Sequence, residues 1–261
     1  MTGFGIDIGG SGIKGARVDL DKGEFAADRV RIDTPKPATP GAVVDVVAEV
    51  MRQADAPDGP FGVTLPSVVT GGVARTAANI DESWIGTDAA ALVEALAGRR
   101  PFVVNDADAA GVAEARYGAA KDVAGTVLVL TLGTGIGSAL LLDGKLVPNT
   151  ELGHLELDGH DAEKRAAADA RDREDLSWEK WTERLQHYLR HVDMLLWPDL
   201  VVIGGGVSKK SDKWLPMLDV RTRVVPAALH NDAGIIGAAL LAAEAGDATS
   251  PQASESDEDD D

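Results

Sequence analysis

Two glycine-rich turns, each set between apolar runs typical of strands, most constrain what this chain can fold into. The first follows Phe4-Gly5-Ile6 and reads DIGGSGIKG over residues 7–15. The second follows the β-branched run 126–132 and reads GTGIG over residues 133–137. Glycines let backbone N–H groups approach an anion closely, and in the first turn we expect them to adopt positive φ angles. The pattern predicts two phosphate-binding turns, one in each half of the chain.

The first turn also carries two charged groups. Asp7 begins it and Lys14 lies near its end, so a phosphate and its metal ion both find partners there. A tight β-hairpin turn with a chance aspartate is the alternative, because Gly-Gly-Ser-Gly is good hairpin material. Neither turn has the spacing of a P-loop or of a dinucleotide-binding G-x-G-x-x-G followed by a helix, which excludes both interpretations.

Three further motifs follow in order: Asn105-Asp106-Ala107-Asp108-Ala109-Ala110, Glu151-Leu152-Gly153-His154 and Gly204-Gly205-Gly206-Val207-Ser208. Together with the glycine turns, they resemble the sugar kinase, actin and heat-shock chaperone ATPase superfamily over roughly residues 3–245, and within it the ROK family. Residues 208–213 and 225–234 are most similar to the actinobacterial polyphosphate glucokinase branch. The resemblance implies an α/β, two-domain actin-like ATPase (ribonuclease H-like) sugar kinase fold with a cleft between the lobes, and a homodimer.

The domain organisation follows from the order of these motifs. We expect residues 1–105 to form an N-terminal α/β domain, completed by a helix near residues 233–245, and residues 106–232 to form a C-terminal α/β domain. Segment 158–175 is expected to be a surface helix or mobile, and residues 246–261 a disordered acidic tail. Helical spacing after residue 176 predicts one buried face, made of Trp181, Leu185, Tyr188, Val192, Leu195 and Leu196.

Composition limits the possible partners. The 261-residue chain has a formal net charge of −18, to which the tail contributes seven negative residues. An acidic chain argues against nucleic acid as a partner, since phosphate contacts need clustered Lys and Arg. The chain has no cysteine, which excludes disulfides and thiolate metal sites, and nothing in it resembles a signal peptide or a membrane span. A cytoplasmic protein without a membrane partner is expected.

Asp106 is the predicted catalytic residue. It follows the apolar run 101–104, and strand ends direct side chains into clefts. By the resemblance, it is the base for the 6-hydroxyl of a hexose. The alternative is that Asn105 and Asp106 only cap a helix over residues 107–116. Asp108 is expected in the first turn of that helix, where a negative charge is stabilised.

A hexose needs side chains that both donate and accept hydrogen bonds. By the resemblance, Asn105 holds a hydroxyl near the reacting end, and Glu151 and His154 hold those near the anomeric end. A structural role for His154 is the alternative. Asn79 and Gly72 are expected to line the same cleft.

The chain departs from the family in two places. Many ROK kinases have a Cys-rich zinc site that includes the motif histidine, and the absence of cysteine here means that zinc is not expected. A third sugar-contacting acid normally lies beyond the zinc segment, and its candidates here are Glu156, Asp158 and His160. Pro66-Ser67 replaces the usual Pro-Gly, which leaves the geometry of that turn open.

The predicted phosphate-binding residues are Asp7, Gly9, Gly10, Ser11, Gly12, Lys14, Thr131, Gly133, Thr134, Gly135, Gly205, Lys209 and Lys210. Lys209, Lys210 and Lys213 lie close in sequence to Arg221 and Arg223, and such a cluster suits a long polyphosphate, whereas a nucleotide needs a slot for its base. A solvated, lysine-rich helix start is the alternative. Mg²⁺ is implied with either donor, held mainly by donor oxygens and waters with Asp7 nearby.

These features predict a polyphosphate-dependent glucokinase that transfers a terminal phosphoryl group from inorganic polyphosphate, or from ATP, to the 6-hydroxyl of glucose. The alternative is an ATP-dependent ROK hexokinase acting on glucose, mannose, fructose or N-acetylmannosamine. A sugar-binding regulator is a remote alternative, because such relatives carry an N-terminal helix-turn-helix domain and the first glycine turn here already begins at Asp7.

Overall fold

The computed structural model describes residues 1–249, with side chains described through residue 246. Across this range the chain forms two lobes, each built on one mixed β-sheet. No helix within residues 1–249 has the length and apolar character that a membrane span requires.

The first lobe contains strands β1 to β8 and helices α1 and α2. Its strands are Thr2–Ile8, Ile13–Asp19, Glu24–Phe25, Val30–Ile32, Phe61–Leu65, Val69–Thr70, Val73–Ala74 and Phe102–Asn105. Its helices are Pro40–Gln53 and Ala89–Ala97. Helix α1 begins with proline at its first position, and α2 ends at Gly98 with φ 70°, the left-handed conformation that glycine adopts most readily.

The second lobe begins with helix α3 and contains strands β9 to β15. The strands are Thr126–Leu132, Ile136–Leu142, Lys145–Val147, Glu156–Leu157, His160–Asp161, Leu200–Gly204 and Arg223–Pro226. Its helices α3 to α6 are Asp106–Tyr117, Glu163–Ala166, Ala168–Arg173 and Trp178–Leu196, whereas α7, Ala233–Thr249, follows in the chain and packs on the first sheet. Short 3₁₀ segments lie at Glu82–Trp84, Leu152–His154, Gly206–Lys213, Leu215–Met217 and His230–Asp232.

The two sheets share one strand order. The first runs β3-β2-β1-β5-β8, with β4 also paired to β2, and the second runs β11-β10-β9-β14-β15. In each sheet an antiparallel meander is followed by two parallel strands. Each glycine turn joins the first two strands of its sheet, so the two turns occupy equivalent places in the two lobes.

Helices α3 and α7 pack against each other between the lobes, although α7 is last in the chain. Helix α7 also lies on β1 and β5 of the first sheet. A side chain at Gly237 would overlap the carbonyl group of Ala109 in α3, and one at Gly62 would overlap Ala238. Glycines therefore allow the helix predicted near residues 233–245 to pack closely on two of its sides, against α3 and against β5.

Several sequence expectations need correction. Leu195 is 53% exposed, unlike the buried Trp181, Leu185, Tyr188 and Val192 of α6. Segment 158–175 contains a hairpin and two short helices, of which Ala166 and Ala170 are buried in the core. Helix α7 continues through Thr249, into the predicted tail, while residues 250–261 lie outside the described residues.

Candidate active site

Asp106 is the first residue of α3, where strand β8 ends. Asn105 caps this helix, because its Oδ1 accepts hydrogen bonds from the backbone N of Ala107 at 2.9 Å and of Asp108 at 3.0 Å. The Asn105 Nδ2 group donates to the carbonyl of Ser67 at 3.1 Å. The helix-capping role that the sequence left open therefore belongs to Asn105. In Asp106, Oδ1 accepts a hydrogen bond from Ala107 N at 2.9 Å, and Oδ2 is not part of this bond.

The Asp106 carboxyl is half-buried and close to two other acids. Burial raises its pKa to about 7, and the negative charges of Asp7 and Glu151 act in the same direction. Asp7 belongs to the first lobe and Glu151 to the second, so Asp106 lies between the two lobes. A carboxyl group with a pKa near neutrality suits a general base, because its ionised form is present at pH 7 and accepts a proton readily.

Glu151, His154 and Glu163 form a cluster on the second lobe, with the imidazole between the two acids. His154 Nε2 lies 3.8 Å from Glu151 Oε2, and His154 Nδ1 lies 3.9 Å from Glu163 Oε1. Burial raises the pKa of Glu151, and the charge of Glu163 raises it further. The cluster presents carboxylate acceptors on both sides of an exposed imidazole, which is the set of groups that hydroxyls of a sugar need.

Glu163 is an acid beside His154 that the sequence analysis did not single out. The three candidates Glu156, Asp158 and His160 lie exposed in the β12–β13 hairpin, where Asp158 Oδ2 lies 3.2 Å from His187 Nε2. The hairpin reverses the direction of the chain, so Glu163 lies beside His154 although nine positions separate them in sequence. No spacing rule connects the two residues, because the return depends on the hairpin geometry.

The first glycine turn is a hairpin between β1 and β2, as its alternative interpretation proposed. Gly9 N donates to Gly12 O at 3.1 Å, and Asp7 lies opposite Lys14 in the strand register. Lys14 Nζ is 2.8 Å from Asp7 Oδ2, and the Thr64 hydroxyl donates to Asp7 Oδ1 at 3.0 Å. The turn therefore holds a charged pair at its base.

The expectation of positive φ angles in this turn was wrong. Gly9, Gly10, Gly12 and Gly15 all lie outside the left-handed region. Close approach explains them instead, because a Cβ at Gly10 would lie 3.1 Å from Asn79 O, and one at Gly12 would lie 2.9 Å from Arg31 Nε. Ser11 is exposed, and its carbonyl accepts a hydrogen bond from Arg31 Nη2 at 3.1 Å.

The second glycine turn lies beside the GGGVS segment. Thr131 is opposite Gly204 in the parallel pair of β9 and β14, and Gly133 N donates to Gly135 O at 3.0 Å. Gly205 has φ 81°, and a side chain there would overlap the carbonyl of Leu132. The predicted residues Thr131, Gly133, Thr134, Gly135 and Gly205 are thus brought together.

Glu163 connects this second turn to the sugar-type cluster. Its Oε2 accepts a hydrogen bond from the backbone N of Ile136 at 3.2 Å, while its Oε1 faces His154. One side chain therefore contacts both the turn and the imidazole, and the phosphate-type and hydroxyl-type groups belong to one continuous site.

Two predicted sugar contacts lie apart from this cluster. Asn79 has φ 61° and lies against Gly10 of the first turn. Gly72 lies against Ala90 of α2, in a cavity that Asn105 also lines. The structure therefore brings together Asn105, Asp106, Glu151 and His154, with Asn79 nearer the first turn.

The basic cluster separates into two groups. Lys209 and Lys210 are exposed on the 3₁₀ segment directly after Gly205. Arg223 pairs with Leu200 at the opposite end of β14, and Arg221 binds Asp193 at 2.8 Å. The expected grouping of both arginines with the lysines was wrong, because β14 and β15 are parallel and carry their first residues to the far edge of the sheet.

Within residues 1–249, no group of three or more His, Asp or Glu side chains is arranged to hold a metal ion. Asp7 is the carboxylate at the base of the first turn, and its two oxygens contact Lys14 and Thr64.

Two lobes of equal strand order, each with a glycine turn at the same place, have the actin-like ATPase fold of the sugar phosphotransferases. The ROK family model matches residues 3–169. The chain belongs to the ROK family.

Three relatives show how far the similarity extends. The chain is 54% identical over 239 residues to a polyphosphate glucokinase of Mycobacterium tuberculosis, a match that covers 91% of this chain and 90% of that protein. It is 54% identical to inorganic polyphosphate/ATP-glucomannokinase from Arthrobacter sp. strain KM, with a TM-score of 0.90 over 94% of this chain and 99% of that one. A ROK family glucokinase from Streptomyces griseus, solved with glucose and AMPPNP, shares the fold at 24% identity and TM-score 0.77, covering 94% of this chain and 100% of that one.

Proposed function

We propose that this protein is a polyphosphate-dependent glucokinase that transfers the terminal phosphoryl group of inorganic polyphosphate to the 6-hydroxyl of glucose. The observation that carries the proposal is the carboxyl of Asp106 at the start of α3, whose pKa is raised to about 7 by burial and by the charges of Asp7 in the first lobe and Glu151 in the second. Similarity of 54% to polyphosphate glucokinases and to a polyphosphate/ATP-glucomannokinase supports the donor and the acceptor.

In this mechanism the Asp106 carboxylate accepts the proton of the 6-hydroxyl. The bond from that oxygen to the terminal phosphorus forms as the bond from phosphorus to the bridging oxygen breaks, and the shortened polyphosphate leaves. Phosphoryl transfer depends mainly on positioning and charge stabilisation, so the other residues act by holding the two substrates in line.

Glucose is held by the second-lobe cluster. Glu151, His154 and Glu163 bind hydroxyls near the anomeric end, and Asn105 binds one near the reacting end. Mannose differs from glucose only in the orientation of one hydroxyl, and the Arthrobacter relative is named as a glucomannokinase, so mannose is the second acceptor to test.

The donor is held by the two turns and by lysines. Backbone N–H groups near Gly10 and Gly135 face the phosphates, Lys14 supplies a positive charge at the first turn, and Lys209 and Lys210 supply charges beyond Gly205. Exposed lysines act as point charges on successive phosphates, so added salt weakens this binding. ATP is the second donor, as in the Arthrobacter relative.

Mg²⁺ fits the donor end of the site. Asp7 offers a carboxylate, and Mg²⁺ commonly binds through one or two carboxylates together with substrate phosphates and waters. When bound, Mg²⁺ neutralises phosphate charge during transfer. Asp7 also forms an ion pair with Lys14, so its carboxylate holds a positive charge at the first turn whether or not Mg²⁺ is bound.

Four expectations remain predictions: a homodimer, a cytoplasmic location, independence from zinc, and the division into domains 1–105 with the last helix and 106–232. An ATP-dependent ROK hexokinase acting on glucose, mannose, fructose or N-acetylmannosamine is the second candidate, supported by the wider family. A purely regulatory role has the least support, because the chain is 54% identical over 239 residues to a polyphosphate glucokinase.

The first experiment measures glucose 6-phosphate formation with Mg²⁺, comparing long-chain polyphosphate with ATP at equal phosphate concentration and at two salt strengths. Strong polyphosphate activity that falls with salt is the expected result. Activity with ATP alone would assign the chain to the ATP-dependent hexokinases, and the same assay with mannose, fructose and N-acetylmannosamine would identify another acceptor.

A further inference from the structure

The side-chain amide of Asn149 joins the two lobes. Its Oδ1 accepts a hydrogen bond from Val69 N at 2.9 Å, and its Nδ2 donates to Val69 O at 2.9 Å. Val69 begins β6 in the first lobe, whereas Asn149 follows β11 in the second. One amide therefore satisfies both backbone groups of one residue, as a neighbouring β-strand would.

Asn149 is itself held in a fixed conformation. Its backbone N donates to Oδ2 of Asp108 at 2.8 Å, and Asp108, in the first turn of α3, is only 1% exposed. The φ angle of Asn149 is 59°, in the left-handed region that asparagine tolerates better than most residues. The amide is therefore presented to Val69 from a backbone that has little freedom to move.

The contact between Asn149 and Val69 lies at the edge of a cavity. A cavity of about 350 Å³ lies beside the contact, lined by Val69 and Gly72 of the first lobe and by Leu146, Pro148 and Asn149 of the second. Beside this open space, the two hydrogen bonds of the amide connect Val69 directly to Asn149.

A second amide binds the bend that precedes β6. Asn105 Nδ2 donates to Ser67 O at 3.1 Å, two residues before Val69. Asn105 and Asn149 therefore bind backbone groups at both ends of the short segment 67–69. Both belong to segments that carry the site, since Asn105 precedes Asp106 and Asn149 lies two residues before Glu151.

We propose that Asn149 is a positioning residue that ties Val69 to the loop carrying Glu151, so that the angle between the lobes and the placement of Glu151 against glucose are set together. The kinetic part of this inference rests on the proposed glucokinase function. The contact at Val69 does not, and it is measured separately.

Three variants separate the amide from the backbone. Asn149→Gly removes the amide and keeps the positive φ without strain, Asn149→Ala removes the amide and adds strain, and Asn149→Asp keeps one acceptor but sets a carboxylate oxygen against Val69 O. Asp122→Gly is the matched control, since Asp122 has φ 61° and is exposed in the second lobe.

The first readout is hydrogen exchange at the Val69 amide in the full chain, with and without glucose. We expect exchange at least about tenfold faster in Asn149→Gly and Asn149→Ala, a smaller increase in Asn149→Asp, which keeps an acceptor for Val69 N, and no change in Asp122→Gly. The second is steady-state kinetics, in which the KM for glucose rises about tenfold while the KM for the donor changes less than about twofold.

Wild-type exchange at Val69 in Asn149→Gly would overturn the contact itself. Normal glucose KM in Asn149→Gly together with faster exchange would overturn the positioning role. A defect confined to Asn149→Ala would assign the effect to backbone strain and not to the amide. Absence of any kinase activity in the wild type would reject the proposed function, while the exchange result would still decide whether Asn149 joins the lobes.

Discussion

Glu163 and Glu151 face opposite nitrogens of the His154 ring. Oε1 of Glu163 lies 3.9 Å from Nδ1, whereas Glu151 faces Nε2. Glu163 also accepts a hydrogen bond from Ile136 N of the second glycine turn. A single carboxylate thus connects the imidazole of His154 with the second glycine turn.

Glu163→Gln is expected to raise the KM for glucose by about 10- to 100-fold, because a hydrogen bond to a charged acceptor is replaced by a weaker one. Steady-state kinetics with glucose as the varied substrate measures this change. Glu156→Gln on the neighbouring hairpin is the control and should have little effect. The reverse pattern would return the third acid to the hairpin.

Asp106→Asn is expected to lower kcat by about 10² to 10⁴, since the proton acceptor is lost while the amide still fits the same space. Glucose affinity, measured by titration calorimetry without donor, should stay within about threefold of wild type. Near-normal turnover would remove Asp106 from the role of base.

The pH dependence of turnover follows from the same group. Burial and the charges of Asp7 and Glu151 raise the pKa of Asp106 to about 7, and only the ionised carboxylate accepts the proton. The value of kcat/KM for glucose should therefore be level above pH 7 and fall about tenfold for each pH unit below it. A profile that stays flat down to pH 5 would contradict this assignment.

Stability should respond to pH in the opposite sense. A raised pKa means that folding favours the protonated form of Asp106, so this contribution to stability is complete below about pH 4 and is lost as the pH rises through about 7. Asp106→Asn escapes that loss and should raise the free energy of unfolding at pH 8 by up to about 4 kcal/mol, and by less at pH 5. Thermal or urea unfolding at both pH values measures it, and an equal effect at both would disprove the linkage.

Lys209 and Lys210 changed together to Ala should raise the KM for long-chain polyphosphate by about five- to thirtyfold, with a smaller dependence on salt, and leave glucose affinity unchanged. The exposed pair Lys121 and Lys145 changed to Ala is the control for net charge. If both double variants weaken polyphosphate binding equally, the effect belongs to overall charge and a dedicated groove is rejected.

Much of the architecture could be predicted from local sequence. Strands β9 and β14, the hairpin turn at Asp143-Gly144 and helix α6 all follow from apolar periodicity and turn residues, because these signals act over a few neighbouring positions. The motif around Asp106 also indicated a helix start, which Asn105 caps.

The errors come from relationships that the sequence carries only through the fold. Arg221 and Arg223 follow the lysines closely in the chain, yet the parallel register of β15 carries them to the far edge of the sheet. Glu163 reaches His154 through a hairpin, and Asn149 reaches Val69 across the lobe boundary. Such contacts form only when the tertiary fold brings distant parts of the chain together. Neither residue spacing nor secondary-structure propensity predicts them.

The position of helix α7 has a consequence for how the chain is made. This helix is synthesised after β1 and β5 but covers both strands, and glycines at 62 and 237 let it pack closely against its neighbours. A ribosome that has translated the chain as far as β15 has yet to supply this cover. The lobe that emerges earliest therefore completes its core at the end of translation, and shortening the chain within α7 would damage the beginning of the protein.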